Sequence, residues 1–304
     1  VKIKESDRNY NNQYIALFVF FTIILIVIVI IFKKKEKLII KAQIEKTLKY
    51  ENSKDIQIII PNSVSLFGLF SAIDMKGNDI SHLFSPKIRQ LFLLLIFHSS
   101  QKKLNGISSE KIHSILWPDS SEQSAKNLKN VALNQLRNIL RDFEGLEIIY
   151  SDRKFILEFS DQFYCDYFIF LTELDSFKEG LYTENSLISL IKILNKGKFL
   201  QFIDEEYFDT FKQDLETDVL GVIPNEMKKL YRKKEYSDVI PLAEILFNID
   251  LLNMDAFLYK IHSLIKMKLN SKAKKQFNYF VNNYSKITGD DFNMTYRDVI
   301  NRVL

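Results

Sequence analysis

Cysteine, tryptophan, proline and glycine are all scarce in this chain of 304 residues, which has one Cys, one Trp, five Pro and eight Gly. The single cysteine, Cys165, cannot form an intrachain disulfide, and the four histidines are too scattered to build a Cys/His zinc site. This fits a reducing compartment for the bulk of the chain. Eight glycines give nucleotide-binding loops little material, and no Walker lysine or paired-histidine motif occurs. A dominant charge sign is missing too: the net charge is +4, mildly basic and not diagnostic. Clustered carboxylates are few. Asp204, Glu205, Glu206, Asp209 and Glu216 lie along a helix above Phe202, Tyr207, Phe208 and Phe211 and read as a solvated face, not as a catalytic set with perturbed pKa. Cys165, between Tyr164 and Tyr167, reads as buried, with no His near in sequence to activate it. Trp117 reads as core packing. The expectation is a protein that is not an enzyme and uses no cofactor or metal.

Long apolar runs are present once. Tyr14 to Phe32 is nineteen residues without a charge, ended by Lys33, Lys34 and Lys35. At 1.5 Å per residue such a run can cross a bilayer core of about 30 Å. It is longer than a signal-peptide core and does not end in small residues. The expectation is therefore a transmembrane helix at 14–32, with a stub at 1–13 outside. Five lysines follow the run within residues 33–41, against three basic residues before it, which places 33–304 on the cytoplasmic side of a bacterial inner membrane. The lysines double as a headgroup anchor. The chain begins at Val1, not Met, and so reads as a C-terminal piece of something longer.

Residues 33–54 carry Leu38, Ile40, Ile44 and Leu48 on one helical face, a juxtamembrane linker that could pair two chains. From 55 to 160 the pattern changes. Two to four short strands are expected over 56–79. A helix then opens at Pro86, and a short one follows, capped by Ser108. Ser120 or Ser121 caps a third helix that runs to about Arg141. A hairpin closes the segment, with strands Leu146–Tyr150 and Phe155–Phe159 around Ser151–Lys154. That order is a winged helix-turn-helix. Residues 161–304 read as an all-α, tetratricopeptide-like array, with breaks expected at Gly180, Gly197, 221–224, 233–235, 248–250 and Asn270. The fold class expected is multidomain α+β: a membrane span, a winged helix and an all-α array.

The helix at 121–141 is the candidate site. Ala125, Leu128, Ala132, Leu136 and Ile139 take core spacing, with Leu133 and Leu140 at the edges. The other face carries Lys126, Asn127, Lys129, Asn130, Asn134 and Arg137, and no acid lies between Glu122 and Asp142. Lys and Arg neutralise phosphates, and Asn pairs with adenine edges. Amphipathic helices with a solvated polar face are common, and it is the position between a short helix and a hairpin that favours DNA. Arg153 and Lys154, at the hairpin tip, would reach phosphates or a neighbouring groove. Residues 85–154 hold eleven Lys plus Arg and seven Asp plus Glu, enough for a few phosphate contacts and a salt-sensitive affinity.

The segments Ile107–Ile112, Ile115–Asp119 (Ile-Leu-Trp-Pro-Asp), Ser124–Asn127 and Leu136–Leu140 resemble the running pattern of the SARP-type transcriptional activators. Those proteins join an OmpR-like winged helix to a helical bacterial transcriptional activator domain. Leu66-Phe67-Gly68 and Phe84–Lys87 look like that family's opening sheet and first helix, and Gly197-Lys198-Phe199-Leu200 like a short turn of its helical domain. Asn248–Asn253 resembles a helix junction of the same domain, with Leu251 where proline is common. The resemblance covers about 56–304. It implies double-stranded DNA as partner of the 121–141 helix, and oligomerisation, as a homodimer, or RNA polymerase contact by the helical half. Together with the apolar run, the expected function is a membrane-anchored transcriptional regulator. The alternative is a membrane-anchored protein-interaction scaffold whose winged helix does not bind DNA.

Overall fold

The structure is a computed structural model that describes residues 3–53, 59–100, 106–194 and 196–302; the side chains of 3–21, 23, 49–53 and 100 lie outside that description. The chain opens with one continuous helix, α1 (Ile3–Ser53). The expected membrane span at 14–32, and with it the single-pass inner-membrane location, is corrected: among the described residues no helix is long and apolar enough to cross a membrane. The fold class is likewise corrected, to a mostly helical chain with two small sheets and no spanning helix among the described residues.

The end of α1 docks on the helical half of the chain. Lys46 pairs with Asp238 at 2.8 Å, Gln43 Nε2 donates to the Lys234 carbonyl at 2.9 Å, and Lys268 reaches Glu36 at 3.2 Å. Thr47 is buried and Ile44 packs against the core, while Leu38 and Leu48 of the expected pairing stripe stay exposed.

Two three-stranded sheets follow. β1 (Ser63–Ser65) pairs antiparallel with β2 (Ser71–Ile73). Further along come α2 (Pro86–Ser100), β3 (Ile107–Ser108), α3 (Ser109–Leu116), α4 (Glu122–Leu140), β4 (Leu146–Ser151) and β5 (Lys154–Phe159). β5 lies between β3 and β4, the wing of a winged helix. Of the strands expected over 56–79, residues 56–58 lie outside the described residues, and 59–60 form no regular element. α2 is apolar on every face from Leu91 to Phe97, all fully buried, because the wing, α4 and the helical half surround it.

β6 (Tyr164–Cys165) then runs parallel to β1 and completes the first sheet, so the helical half enters through the winged half. It comprises α5 (Asp166–Glu179), α6 (Glu184–Leu194), α7 (Asp209–Arg232), α8 (Tyr236–Ile249), α9 (Met254–Lys266), α10 (Asn270–Thr288) and α11 (Tyr296–Asn301). The break expected at 221–224 is absent: Pro224 sits inside α7. A buried stripe of Leu215, Val219, Ile223, Met227 and Leu230 runs straight through the proline. That packing outweighs the ~3 kcal/mol typical of one lost helical rung. α11, which sequence periodicity did not reveal, begins at a capping box formed by Thr295 and Asp298.

The halves are joined by a buried carboxylate. Asp166, fully buried, accepts the Leu66 N–H at 2.7 Å and the Ser65 hydroxyl, and pairs with Lys196 at 3.0 Å. Beside it the backbones touch: Gly68 N–H donates to Lys198 O, and Leu200 N–H to Leu66 O, both at 2.9 Å. Gly68 has φ +73°, and a Cβ there would sit 1.9 Å from the Lys196 carbonyl oxygen. A second contact is His98 Nε2 to the Tyr207 hydroxyl at 2.6 Å. Burial, helped by the Lys111 and Lys154 charges, pushes the His98 imidazole down from its usual 6.5 to about 4.

Two outcomes are expected. Asp166→Ala strands the Lys196 ammonium and two buried donors, and should cost ~3 kcal/mol in urea unfolding. His98 stays neutral in the folded chain while the unfolded chain protonates near 6.5. Its contribution is therefore complete above pH 6.5 and is lost as the pH falls toward 4, by on the order of 2 kcal/mol. His98→Gln should flatten that part of the stability–pH curve.

Candidate nucleic-acid interface

The segment 107–159 builds a helix-turn-helix and a wing from local signals. Ser108 caps α3 by accepting the Lys111 N–H at 3.3 Å, and Ser121 caps α4 by accepting the Ser124 N–H at 3.4 Å. Between them Trp117 packs half-buried against the core and Pro118 stops the first helix. The wing turns on Asp152 and Arg153, with φ +50° and +62°. Both central residues left-handed is the two-residue hairpin geometry that matches strand twist. This puts Arg153 at an exposed tip, with Lys154 half-buried beside it.

α4 presents Lys126, Asn127, Asn130, Asn134 and Arg137 to the outside. Lys129 does not join them. It is 6% exposed, its Nζ donates to Ser109 Oγ, and it lies 5.2 Å above the Phe155 ring. Burial lowers its pKa from the lysine range; the Glu110 charge opposes that shift and Lys126 adds to it. Lys129 thus braces α3, α4 and β5 together. The helix is also rotated from its expected phase. Leu133 and Leu140 are core residues, whereas Leu128 is 43% and Val131 56% exposed. At 100° per residue the outermost stripe is Asn127, Val131, Asn134 and Asn138, flanked by Lys126, Arg137 and Arg141.

Val131, Asn138 and Arg141 were missed from sequence. Centring the apolar face on Ala132, Leu133, Leu136 and Leu140 would have found them. Val131 matters chemically, since a methyl-bearing side chain among amides can contact a thymine methyl. Beside the helix an open hollow of about 870 Å³ lies between Arg137 and Arg141 on one side and Glu147 and Glu158 on the other. Its mixed charge makes it no anion cradle. Among the described residues no group of three or more His, Cys, Asp or Glu is placed to hold a metal. Cys165 is buried, which pushes its thiol well above the usual range and leaves it unreactive.

The brace has a measurable consequence. Lys129→Ala should lower stability by about 1–2 kcal/mol in chemical denaturation, through lost stem packing and an unpaired Ser109. Lys126→Ala, on the exposed face, should change it by less than about 0.5 kcal/mol.

No family model matches the sequence, and no curated protein matches it. Among solved structures, the chain is similar to Mycobacterium tuberculosis EmbR in complex with a low-affinity phosphopeptide. The TM-score is 0.51 at 17% identity, over 78% of this chain and 63% of that one. The chain thus spans less than two thirds of that protein's length. At this identity the likeness concerns the fold alone: a winged helix followed by a helical array.

Proposed function

We propose that the chain is a SARP-like transcription regulator that binds double-stranded DNA by laying α4 in the major groove. The observation that carries this is the outer stripe of α4: side-chain amides at 127, 134 and 138 around Val131, with Lys126, Arg137 and Arg141 alongside and no carboxylate between Glu122 and Asp142. Amides and a methyl group suit base edges, and the flanking cations suit phosphates. Arg153 on the wing tip adds a phosphate contact outside the groove. The helical half serves assembly as a homodimer or contact with RNA polymerase.

A second reading, a winged helix that faces another protein, is favoured by one feature: Leu128 and Val131 expose apolar surface on α4. Salt dependence separates the two. Counterion release makes DNA binding fall steeply with salt, with a log–log slope near −0.9 per phosphate contacted, about −4 for a few contacts. The test is an electrophoretic shift of the full chain on a pool of random-core 30-base-pair duplexes at about 50–200 mM salt. Lys126→Glu plus Arg137→Glu should weaken binding at least tenfold. Asn127→Ala plus Asn134→Ala should change the sequences selected from the pool and leave the slope alone. No shift at the lowest salt, or a shift indifferent to the charge reversals, would reject DNA as the partner.

A further inference from the structure

A helix lying in the major groove turns its outermost third to the base edges and its flanks to the phosphate walls. On α4 these zones differ in chemistry. At 100° per residue, the outermost third is centred on Asn127, Val131, Asn134 and Asn138, with Ser124, Leu128 and Gln135 beside them. All are exposed and none is charged. Lys126, Arg137 and Arg141 fall together on one flank. Lys129 is turned to the opposite, buried side, where Ser109 and the Phe155 ring hold it. Asn127 Oδ1 accepts a long bond of 3.4 Å from Gln123 Nε2, so this amide can turn to a base at little cost.

Each base edge asks for a different group. Guanine shows two acceptors and is read by the fork of an Arg or by a Lys. Cytosine shows an amino donor and is read by a carboxylate. Adenine shows an acceptor beside a donor and suits the amide of Asn or Gln, and thymine offers a methyl group to an apolar side chain. The outermost third of α4 has readers for adenine and thymine. It has neither a cation for guanine nor a carboxylate for cytosine. The burial of Lys129 completes this exclusion, because it removes the one cation placed midway along the amide stripe. From Asn127 to Asn138 the helix covers about 16 Å, or about five base-pair steps of ~3.4 Å.

Taking α4 as the reading helix, we infer that its duplex presents a run of about four A·T pairs in the major groove, with adenines against the amides of Asn127 and Asn134 and a thymine methyl against Val131. The flanking cations hold phosphates and carry no base preference, so composition outside this run is free to vary. The groove is part of the claim. A·T and T·A pairs look alike in the minor groove and differ in the major groove, where amide and methyl readers tell them apart.

The test is selection by the full chain from the random-core pool at about 100 mM salt, then fluorescence anisotropy on the recovered duplex and two chemical variants of it. The recovered core should hold a run of A·T pairs. Inosine·cytosine in place of that run keeps the minor groove of A·T and gives the major groove of G·C, and should weaken binding at least tenfold. Uracil in place of each thymine of the run removes only the methyl group and should weaken binding about threefold. Val131→Ala should erase most of that uracil penalty. Asn134→Arg should redirect selection to G·C at one position and leave the rest A·T, an outcome that damage to the fold does not produce. A recovered core of G·C pairs overturns the inference. So does equal binding of the inosine duplex, which would put the readout in the minor groove or in duplex stiffness. A uracil penalty that is absent, or unchanged by Val131→Ala, overturns it as well. Salt-sensitive binding with no recovered preference overturns the A·T assignment and leaves DNA as the partner, whereas no binding to any duplex at the lowest salt rejects DNA itself.

Discussion

One buried carboxylate decides how this molecule can work. Asp166 begins the first helix of the all-α half, yet its oxygens are spent on the winged half, on the Ser65 hydroxyl and the Leu66 N–H, with Lys196 closing the charge. A buried ion is costly unless its partners are in place. The arrangement therefore penalises any pose in which the halves separate. Gly68 and Gly197 let the two backbones meet at this point, and Phe67, Phe170 and Phe199 fill the space around them. The result is a winged-helix part and a helical part that share one core.

That junction constrains the outer surfaces. α2 transmits it: Phe97 stacks on Phe211 and meets Tyr167, while the same helix packs on α4 and β5. Lys129 then ties α4 to α3 and the wing. The stripe from Asn127 to Asn138 is thus held at a fixed attitude to the helical array, which favours binding because little conformational freedom is left to lose. The docked end of α1 joins the same body through Lys46–Asp238 and buried Thr47. A force arriving along α1 would be felt at α8 and not by the winged half directly.

Local signals in the sequence were legible wherever a residue acts through its own backbone neighbourhood. Ser108 and Ser121 marked two helix starts, and Asp152-Arg153 marked the wing turn. Signals that depend on partners far along the chain were not. Lys129 reads as a surface cation by type. Only the fold reveals that its stem lies over Phe155 and its ammonium on Ser109. Pro224 reads as a break, but the stripe through Leu215 and Leu230 is paid in tertiary contacts. Leu66 and Phe67 fall within the short strands expected over 56–79. In the fold they are consecutive buried residues, because the chain leaves the sheet there to plug into the helical half. The apolar run at 14–32 and its flanking lysines predict a span, yet among the described residues no helix is long and apolar enough to cross a membrane.

The composition conceals what the fold separates. A net charge of +4 suggests a surface of no particular character. In the fold, cations gather at residues 33–41, along α4 with the wing tip, and along residues 256–289, which hold seven lysines and no carboxylate of their own. The remainder of the chain is consequently acidic on balance. Segregation of this kind raises local potential without raising the total. A uniformly basic protein of the same net charge would offer no such distinction between its faces.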